Sequence, residues 1–304
     1  MVIKQPKVTN ENRPNADGEK PRRPTTRMRK LRRKLSRTVL RLPVIWYRHH
    51  GFRPEDTFIV SYPRSGTTWS RHTLFEILTG QKSGFRIVDA NLCGVGRHHQ
   101  GAGVLPGDGR LISTHEQYRD WKHYHKAIYL VRDARDVVLS EFTYLRNLEF
   151  FYGDLDKFVK HFVTTAVSGF GPWQRHIASW LDSPLYGTPN LCLVRFEELK
   201  RDPVAGFTRI AEFLGVKTSP DVIQRAVANS SLEKMREKEV REPVKASVKG
   251  RFIGAGEVQA WRSKLTTAQV RLIEQYVGPE LVRLGYTLSD QILDMESRSN
   301  PVLA

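Results

Sequence analysis

Short apolar runs alternate with stretches of helical periodicity along most of the 304-residue chain. The runs are rich in β-branched residues, which is typical of buried strands. They lie at residues 57–61, 110–114, 127–131 and 191–194. Helices are predicted at residues 69–78, 133–148 and 203–214, and a mainly helical C-terminal third includes 266–277 and 280–284. This alternation predicts an α/β fold, a single domain whose central parallel β-sheet carries helices on both faces.

The two ends of the chain differ from this pattern. Residues 1–26 are polar and basic, with few large apolar side chains, and are expected to be a disordered tail. Residues 27–50 space apolar side chains by three and four, which predicts a basic amphipathic helix. That helix either docks on the folded domain, expected at 51–290, or contacts an anionic membrane or nucleic acid. Residues 291–304 are expected to be a C-terminal tail.

The positive charge of the chain is concentrated at its N-terminus. Residues 1–50 hold 15 Lys and Arg against three acids, so +12 of the net charge of +17 lies there and +5 in the remainder. The folded part is therefore only mildly basic, which suits an anionic small ligand better than nucleic acid. The two cysteines, the lack of an apolar leader and the lack of an 18-residue apolar stretch together favour a reducing, cytoplasmic location, peripheral to a membrane if the basic helix binds one.

The strongest chemical signal is the segment YPRSGTTW at residues 62–69, between the first predicted strand and the next helix. Gly66 lets the backbone approach a ligand closely, and the amides that follow can point at phosphate oxygens from a helix N-terminus. Three hydroxyl groups and Arg64 add further donors. The segment lacks the GxxxxGK[ST] pattern of P-loop nucleoside triphosphatases, so it predicts a different anion-binding turn. An ordinary capped β-α turn would explain only one of the hydroxyls.

This segment resembles the YPKSGTTW loop of sulfotransferases that use 3′-phosphoadenosine 5′-phosphosulfate (PAPS). The resemblance implies a P-loop-like α/β fold and a donor site without a metal. It assigns binding of the donor's 5′-phosphosulfate to Arg64, Ser65, Gly66, Thr67 and Thr68, with Arg64 also acting in catalysis.

Two further segments resemble the same family in the same order. In VRDARDVVLS, Arg132 and Ser140 match the ligands of the donor's 3′-phosphate, two helical turns apart. In STH, His115 matches the catalytic base, since a neutral imidazole can take the proton of a hydroxyl group. Glu116 is the alternative base. His98 and His99 either line the acceptor site or lie in a solvated loop.

The resemblance is weaker towards the C-terminus. Phe196 and Trp69 match two aromatic residues that enclose the adenine. The family pattern RKGxxGxWxxxLT places a phosphate-binding Arg at the position of Gly254, so Arg251 is expected to supply that charge instead, with Lys249 as a neighbour.

The expected function is transfer of a sulfuryl group from PAPS to a hydroxyl group of a small molecule, lipid or carbohydrate. Two alternatives stay open: a phosphoryl transferase with a related fold, which normally needs a loop Lys and a magnesium ligand, or an inactive binding protein. The acceptor is expected to contact the loops at residues 81–109 and 145–175 and the segment 235–255. The sequence indicates no oligomeric state.

Overall fold

Four parallel strands form the centre of the protein, in the order β2-β1-β3-β4. The computed structural model describes residues 46–165, 167–244 and 250–292. The strands are β1 (Thr57–Ser61), β2 (Leu111–Thr114), β3 (Ala127–Val131) and β4 (Leu191–Arg195). All four predicted strands are confirmed, each within one residue at either end.

Besides the helical residues 46–49 and 289–292, eleven helices of the described ranges surround or follow the sheet. They are α1 (Thr67–Thr79), α2 (Phe85–Asn91), α3 (Ala134–Asn147), α4 (Leu155–Thr164), α5 (Trp173–Leu181), α6 (Phe196–Arg201), α7 (Pro203–Phe213), α8 (Pro220–Asn229), α9 (Leu232–Arg241), α10 (Trp261–Lys264) and α11 (Thr267–Arg283). Single turns of 3₁₀ helix lie at His98–Gln100, Pro106–Asp108 and Asp120–Lys122.

The sheet separates two apolar cores because successive strand residues point to opposite faces. On β3, Tyr129 belongs to the core beneath α3, α4, α5 and α11, whereas Ile128 and Leu130 belong to the core beneath α1, α7 and α8. All five residues of β1 and of β3 are buried. The expected parallel sheet with helices on both faces is therefore confirmed.

The stretch 145–175, expected to be a loop, is partly helical, and that expectation was wrong. Its helix α4 buries Phe158 and Phe162 completely, at the i and i+4 positions of one face. Asp154 caps the helix by accepting a hydrogen bond from the backbone N–H of Lys157 at 2.9 Å. This cap and the apolar spacing are the signals that predict the helix.

The C-terminal helix α11 continues through Pro279, although the sequence pattern divided it at that point. Proline lacks one backbone donor and costs stability in a helix interior. Here Val277 and Leu281, on either side of it, are fully buried and hold the helix against the core. Burial thus outweighs the local preference to end the helix.

Of the predicted basic helix at 27–50, only residues 46–50 are described, and 46–49 are helical. The remainder of that helix, the tail at 1–26 and residues 293–304 lie outside the described ranges, as does Lys249. Within the ranges that are described, no helix has the length and apolar character needed to cross a membrane. Cys93 and Cys192 are both buried and carry free thiols.

Candidate active site

One cavity of about 860 Å³ opens at the carboxyl ends of the strands. Candidate site residues follow three neighbouring strands there: the 62–69 loop follows β1, His115 follows β2 and Arg132 follows β3. Nine of the eleven residues singled out from the sequence line it, namely Arg64, Gly66, Thr67, Thr68, Trp69, His115, Arg132, Ser140 and Phe196. Ser65 is buried within the loop itself. Arg251 is exposed and lines a neighbouring cavity with Phe252.

The loop forms an anion cradle at the start of α1. Gly66 has a φ of 97°, in the left-handed region, and its carbonyl accepts the first helical hydrogen bond, from the N–H of Ser70 at 3.0 Å. The backbone N–H groups of the first turn of α1 have no acceptor within the helix. They face the site and form the positive end of the dipole of this helix. The hydroxyl of Ser65 is buried and has no hydrogen-bond partner among the described residues. An anion at this point would satisfy these donors.

A second group of donors lies between the loop and α3. The Arg64 Nε donates to the Ser140 hydroxyl at 3.1 Å, and an Arg132 Nη donates to the carbonyl of Arg64 at 3.0 Å. Within the described ranges, the buried Nε of Arg132 has no partner. The structure therefore brings Arg64, Arg132 and Ser140 together, although they are far apart in sequence.

His115 is held in one orientation by the end of β1. Its Nδ1 lies 2.8 Å from the carbonyl oxygen of Ser61 and 3.2 Å from the Ser61 hydroxyl. Because a carbonyl can only accept, Nδ1 carries the proton, and Nε2 of the neutral ring keeps a free electron pair. Burial lowers the pKa of His115, although the hydrogen bond to Ser61 opposes this, and the positive charges of Arg71 and Arg64 lower it further. The imidazole is therefore neutral at pH 7 and can accept a proton.

Glu116, the alternative base, is engaged elsewhere, and the acceptor-site candidates His98 and His99 are not among the residues that line the cavity. The carboxylate of Glu116 forms an ion pair with Lys122 at 2.8 Å and accepts a hydrogen bond from the hydroxyl of Tyr124 at 3.3 Å. His98 is fully buried against the ring of Phe52, so its expected place in a solvated loop was wrong, whereas His99 is exposed. Neither of these histidines lines the cavity described above.

The two aromatic rings at the far side of the loop contact each other. Trp69 and Phe196 meet edge to face, with ring centroids 6.0 Å apart and planes at 78°. The guanidinium of Arg132 lies over the Phe196 ring at 4.7 Å, and the ammonium of Lys200 lies over Trp69 at 5.8 Å. Flat apolar surfaces next to cations suit a planar ring that bears negative charge nearby.

Glu141 is a buried acid in the cavity wall that the sequence did not single out. Only 2% of its surface is exposed, and its Oε2 is without a hydrogen-bond partner in the described part of the chain. Burial raises its pKa to about 7, although the positive charge of Arg64 opposes the shift. The folded protein therefore favours the neutral form of this carboxyl group.

We expect Glu141→Gln to stabilise the protein at pH 8 by about 3 kcal/mol. In the unfolded chain the carboxyl ionises above its ordinary pKa of 4.5, whereas in the folded protein it resists ionisation up to about pH 7. Stability is therefore lost as the pH rises through this window, and the neutral amide avoids the loss. Urea unfolding at pH 5 and pH 8 measures the gain in the free energy of unfolding, which is expected to fall below about 1 kcal/mol at pH 5. Glu212→Gln, at an exposed position on α7, is the control. An equal gain in stability for Glu141→Gln at both pH values would contradict the account.

Comparison with known proteins identifies the family of the chain. The sulfotransferase-domain family matches residues 107–285, which is more than half of the chain and includes His115, Arg132 and Ser140. The chain belongs to the sulfotransferase family. Among curated relatives, the flavonol 3-sulfotransferase of Flaveria bidentis is 24% identical over 77% of this chain and 84% of its own length. Human sulfotransferase 2B1 is 30% identical over 71% of this chain and 63% of its own length.

Solved structures of sulfotransferases and related proteins share the fold. Mouse sulfotransferase SULT7A1 complexed with PAP (adenosine 3′,5′-bisphosphate) superimposes with a TM-score of 0.60 at 23% identity, over 78% of this chain and 88% of that one. A retinol dehydratase in complex with retinol and PAP gives a TM-score of 0.64 at 20% identity, over 80% and 86% of the two chains. At these identities the likeness establishes the sulfotransferase fold.

Gly66→Ala is expected to lower the affinity for PAP by at least about tenfold. A β-carbon at residue 66 would lie 2.7 Å from Cδ2 of Phe196, so the ring would have to move, and the positive φ would add strain. Isothermal titration calorimetry with PAP measures the loss. Gly80→Ala is the matched control because Gly80 also has a positive φ, of 70°, but nothing within 4 Å of the added carbon. Equal affinities for both variants would contradict a role of this close packing in binding.

Besides Glu141, sequence reasoning missed Ser61, and it did not predict the contact of Tyr144 with Arg64. Ser61 is a buried polar residue at the last position of an apolar strand, and its carbonyl orients His115. Tyr144 lies one turn after Ser140 on α3 and places its ring 4.6 Å from the guanidinium of Arg64. A polar residue closing an apolar strand was the available signal for Ser61. Nothing in the local sequence signals the contact of Tyr144.

Proposed function

We propose that the protein transfers a sulfuryl group from PAPS to a hydroxyl group of a small-molecule acceptor, with His115 as general base. The observation that carries the proposal is that His115 and both groups of anion-binding donors line one cavity. A base and an anion site within one enclosed space can bring a hydroxyl group and an activated donor into contact.

The donor set fits a nucleotide with two separated anionic groups. Backbone amides and hydroxyls at the start of α1 suit one of them, and Arg132 with Ser140 suits the other. Two buried donors without a hydrogen-bond partner in the described part of the chain, Ser65 Oγ and Arg132 Nε, belong one to each group. When bound, PAPS supplies the activated sulfuryl group, and the amides at the start of α1 stabilise the charge left on the 5′-phosphate.

His115 would move the proton of the reaction. Its Nε2 accepts the proton of the acceptor hydroxyl as the oxygen forms a bond to sulfur and the bond between sulfur and the 5′-phosphate oxygen breaks. The products are the sulfate ester, PAP and a protonated imidazole, which releases its proton to water. Ser61 keeps the ring in the reactive orientation through Nδ1, which is a positioning role.

The acceptor is proposed to be a small, largely apolar alcohol or phenol. Beyond Ser140 the cavity wall is mainly apolar and is lined by Leu145, Leu148, Phe150, Val167 and Phe170. Solved relatives carry retinol or androsterone, and a curated relative is a flavonol sulfotransferase. Such a wall favours ring systems over carbohydrates, which need many hydrogen-bond partners. Contact of residues 27–50 with a membrane surface remains a separate prediction, as does a cytoplasmic location.

Transfer of label from ³⁵S-PAPS tests this proposal. The protein is incubated with a phenol, a steroid alcohol, retinol and a hexose, and labelled products are identified by mass spectrometry. We expect label on one or more of the apolar alcohols and none on the hexose. Label that stays on the nucleotide with every acceptor, despite tight binding of PAP, would instead support an inactive binding protein.

A further inference from the structure

Glu239 on α9 is an acidic residue beside the cavity to which the proposed reaction assigns no role. Its carboxylate accepts hydrogen bonds from two successive backbone N–H groups, with Oε1 at the N–H of Phe252 and Oε2 at that of Ile253, the latter at 3.1 Å. Phe252 and Ile253 both line the cavity, whereas Glu239 lines the neighbouring one. Hydrogen bonds to a charged acceptor are stronger than neutral ones, so this carboxylate fixes the backbone at the cavity wall.

The residue before Glu239 anchors α9 to the rest of the domain. The ammonium of Lys238 donates to the Ser83 hydroxyl at 2.6 Å and to the carbonyl of Asn229 at 2.8 Å. It also forms an ion pair with Glu76 on α1 at 3.4 Å, in which both side chains are largely removed from water. Breaking a buried pair of this kind leaves an uncompensated charge. The helix therefore holds Glu239 in a fixed place relative to α1, the helix that follows the anion-binding loop.

The backbone that Glu239 holds contacts Arg64 in turn. Nη2 of Arg64 donates to the carbonyl of Phe252 at 3.3 Å, and the guanidinium lies 5.6 Å from the centroid of the Phe252 ring. That carbonyl and the N–H of Ile253 belong to one peptide group. Arg64 and Glu239 therefore bind opposite sides of the same planar unit. Burial lowers the pKa of Arg64, and acidic groups that include Glu239 oppose the shift.

We propose that Glu239 is a positioning residue for sulfuryl transfer, which places the guanidinium of Arg64 through the peptide group between Phe252 and Ile253. Because this group is planar, fixing its N–H fixes the direction of its C=O. The hydrogen bond donated by the N–H also polarises the carbonyl, which makes it a better acceptor for Arg64. The inference rests on the proposed function, with Arg64 at the 5′-phosphosulfate as expected from the sequence.

A double-mutant cycle on the full chain tests the inference, with the affinity for PAP measured by calorimetry. Glu239→Gln is expected to lower this affinity by about 3–10-fold, because the amide is uncharged and its NH₂ group cannot accept a hydrogen bond from a backbone N–H. In an Arg64→Ala background the same substitution is expected to change the affinity by less than about twofold, since there is no guanidinium left to place. In Glu239→Gln alone, kcat/KM for transfer from ³⁵S-PAPS should fall by at least the same factor as the affinity.

Glu237→Gln is the matched control. It makes the same change from acid to amide on the same helix, but this carboxylate pairs with Lys234 at 3.0 Å and with Arg241 at 3.6 Å, both on α9 itself. Its affinity for PAP and its kcat/KM are expected to stay unchanged. A loss as large as that of Glu239→Gln would show a general effect of charge on α9 and would overturn the inference.

Equal losses of PAP affinity for Glu239→Gln in the two backgrounds would also overturn it, because Glu239 would then act on the cavity wall without Arg64. No loss of affinity in the single variant has the same consequence. If Glu239→Gln does not fold, Glu239→Asp replaces it, because the shorter side chain keeps the charge but withdraws both oxygens from the two N–H groups. The same dependence on Arg64 is expected, and equal losses would again overturn the inference. If the unaltered protein does not bind PAP, the proposed function itself fails, which is a distinguishable result.

Discussion

His115→Ala is expected to lower kcat by about 10²–10⁴-fold and to leave the affinity for PAP nearly unchanged. In the proposed mechanism the imidazole is the base, and its Nδ1 is already bound to Ser61. Its loss would therefore remove proton transfer but not the donor-binding contacts. Steady-state kinetics and calorimetry with PAP measure the two effects. His161→Ala, at an exposed position on α4, is the control and should retain full activity.

The pH dependence of the reaction is a second test of His115 as the general base. Because burial, opposed by Ser61, lowers the pKa of His115 from its usual value of 6.5, the base form persists below that pH. The acid limb of kcat/KM is therefore expected below pH 6.5, and activity should decline only as the pH falls further. If Glu116→Gln abolished turnover while His115→Ala did not, the carboxylate would be the base and this assignment would be wrong.

Arg110→Ala is expected to destabilise the protein by about 3–5 kcal/mol, since it leaves a buried carboxylate without its partner. Asp56 is fully buried, and its oxygens accept hydrogen bonds from the Arg110 side chain at 2.5 and 2.9 Å and from the Arg110 backbone N–H at 3.0 Å. The pair joins the starts of β1 and β2, whose far ends carry Ser61 and His115. Urea unfolding at pH 7 measures the loss.

The pH dependence of stability distinguishes this pair from a surface ion pair. Burial alone would raise the pKa of Asp56, but hydrogen bonds from Arg110 and Arg53 outweigh it and hold the pKa below the usual 3.8. Its contribution is therefore present above pH 3.8 and is lost as the pH falls through the lowered value. Arg53→Ala is the control, because its ion pair with Asp108 is exposed and is expected to contribute less than about 1 kcal/mol. A loss for Arg110→Ala no larger than for Arg53→Ala would contradict the account.

Sequence patterns predicted the strands well because each is a short apolar run with buried residues on both faces. The same patterns located the loop, His115 and Arg132, since in a parallel sheet the residues that follow neighbouring strands share one edge. Three features required the structure. Helix α4 lies in a stretch that was expected to be a loop. Helix α11 continues through Pro279 because its flanks are buried, and the Asp56–Arg110 pair joins residues 54 positions apart.

The contacts of individual side chains were the least predictable part of the site. The sequence places Arg64 in the loop but cannot show that it reaches Ser140 across the cavity. Glu141 follows Ser140 on α3, and an acid beside a serine gives no sign of its own burial. These properties depend on packing between elements that are distant along the chain, and local patterns do not encode them.

The most direct measurement for the central claim is the affinity of the unaltered protein for PAP compared with ATP and Mg²⁺. Donor groups for two separated phosphates predict that PAP binds at least about tenfold more tightly than ATP, and that added Mg²⁺ does not improve PAP binding. Calorimetry with both nucleotides, with and without the metal, measures this. Tighter binding of ATP with Mg²⁺ than of PAP would contradict the account and point to phosphoryl transfer instead.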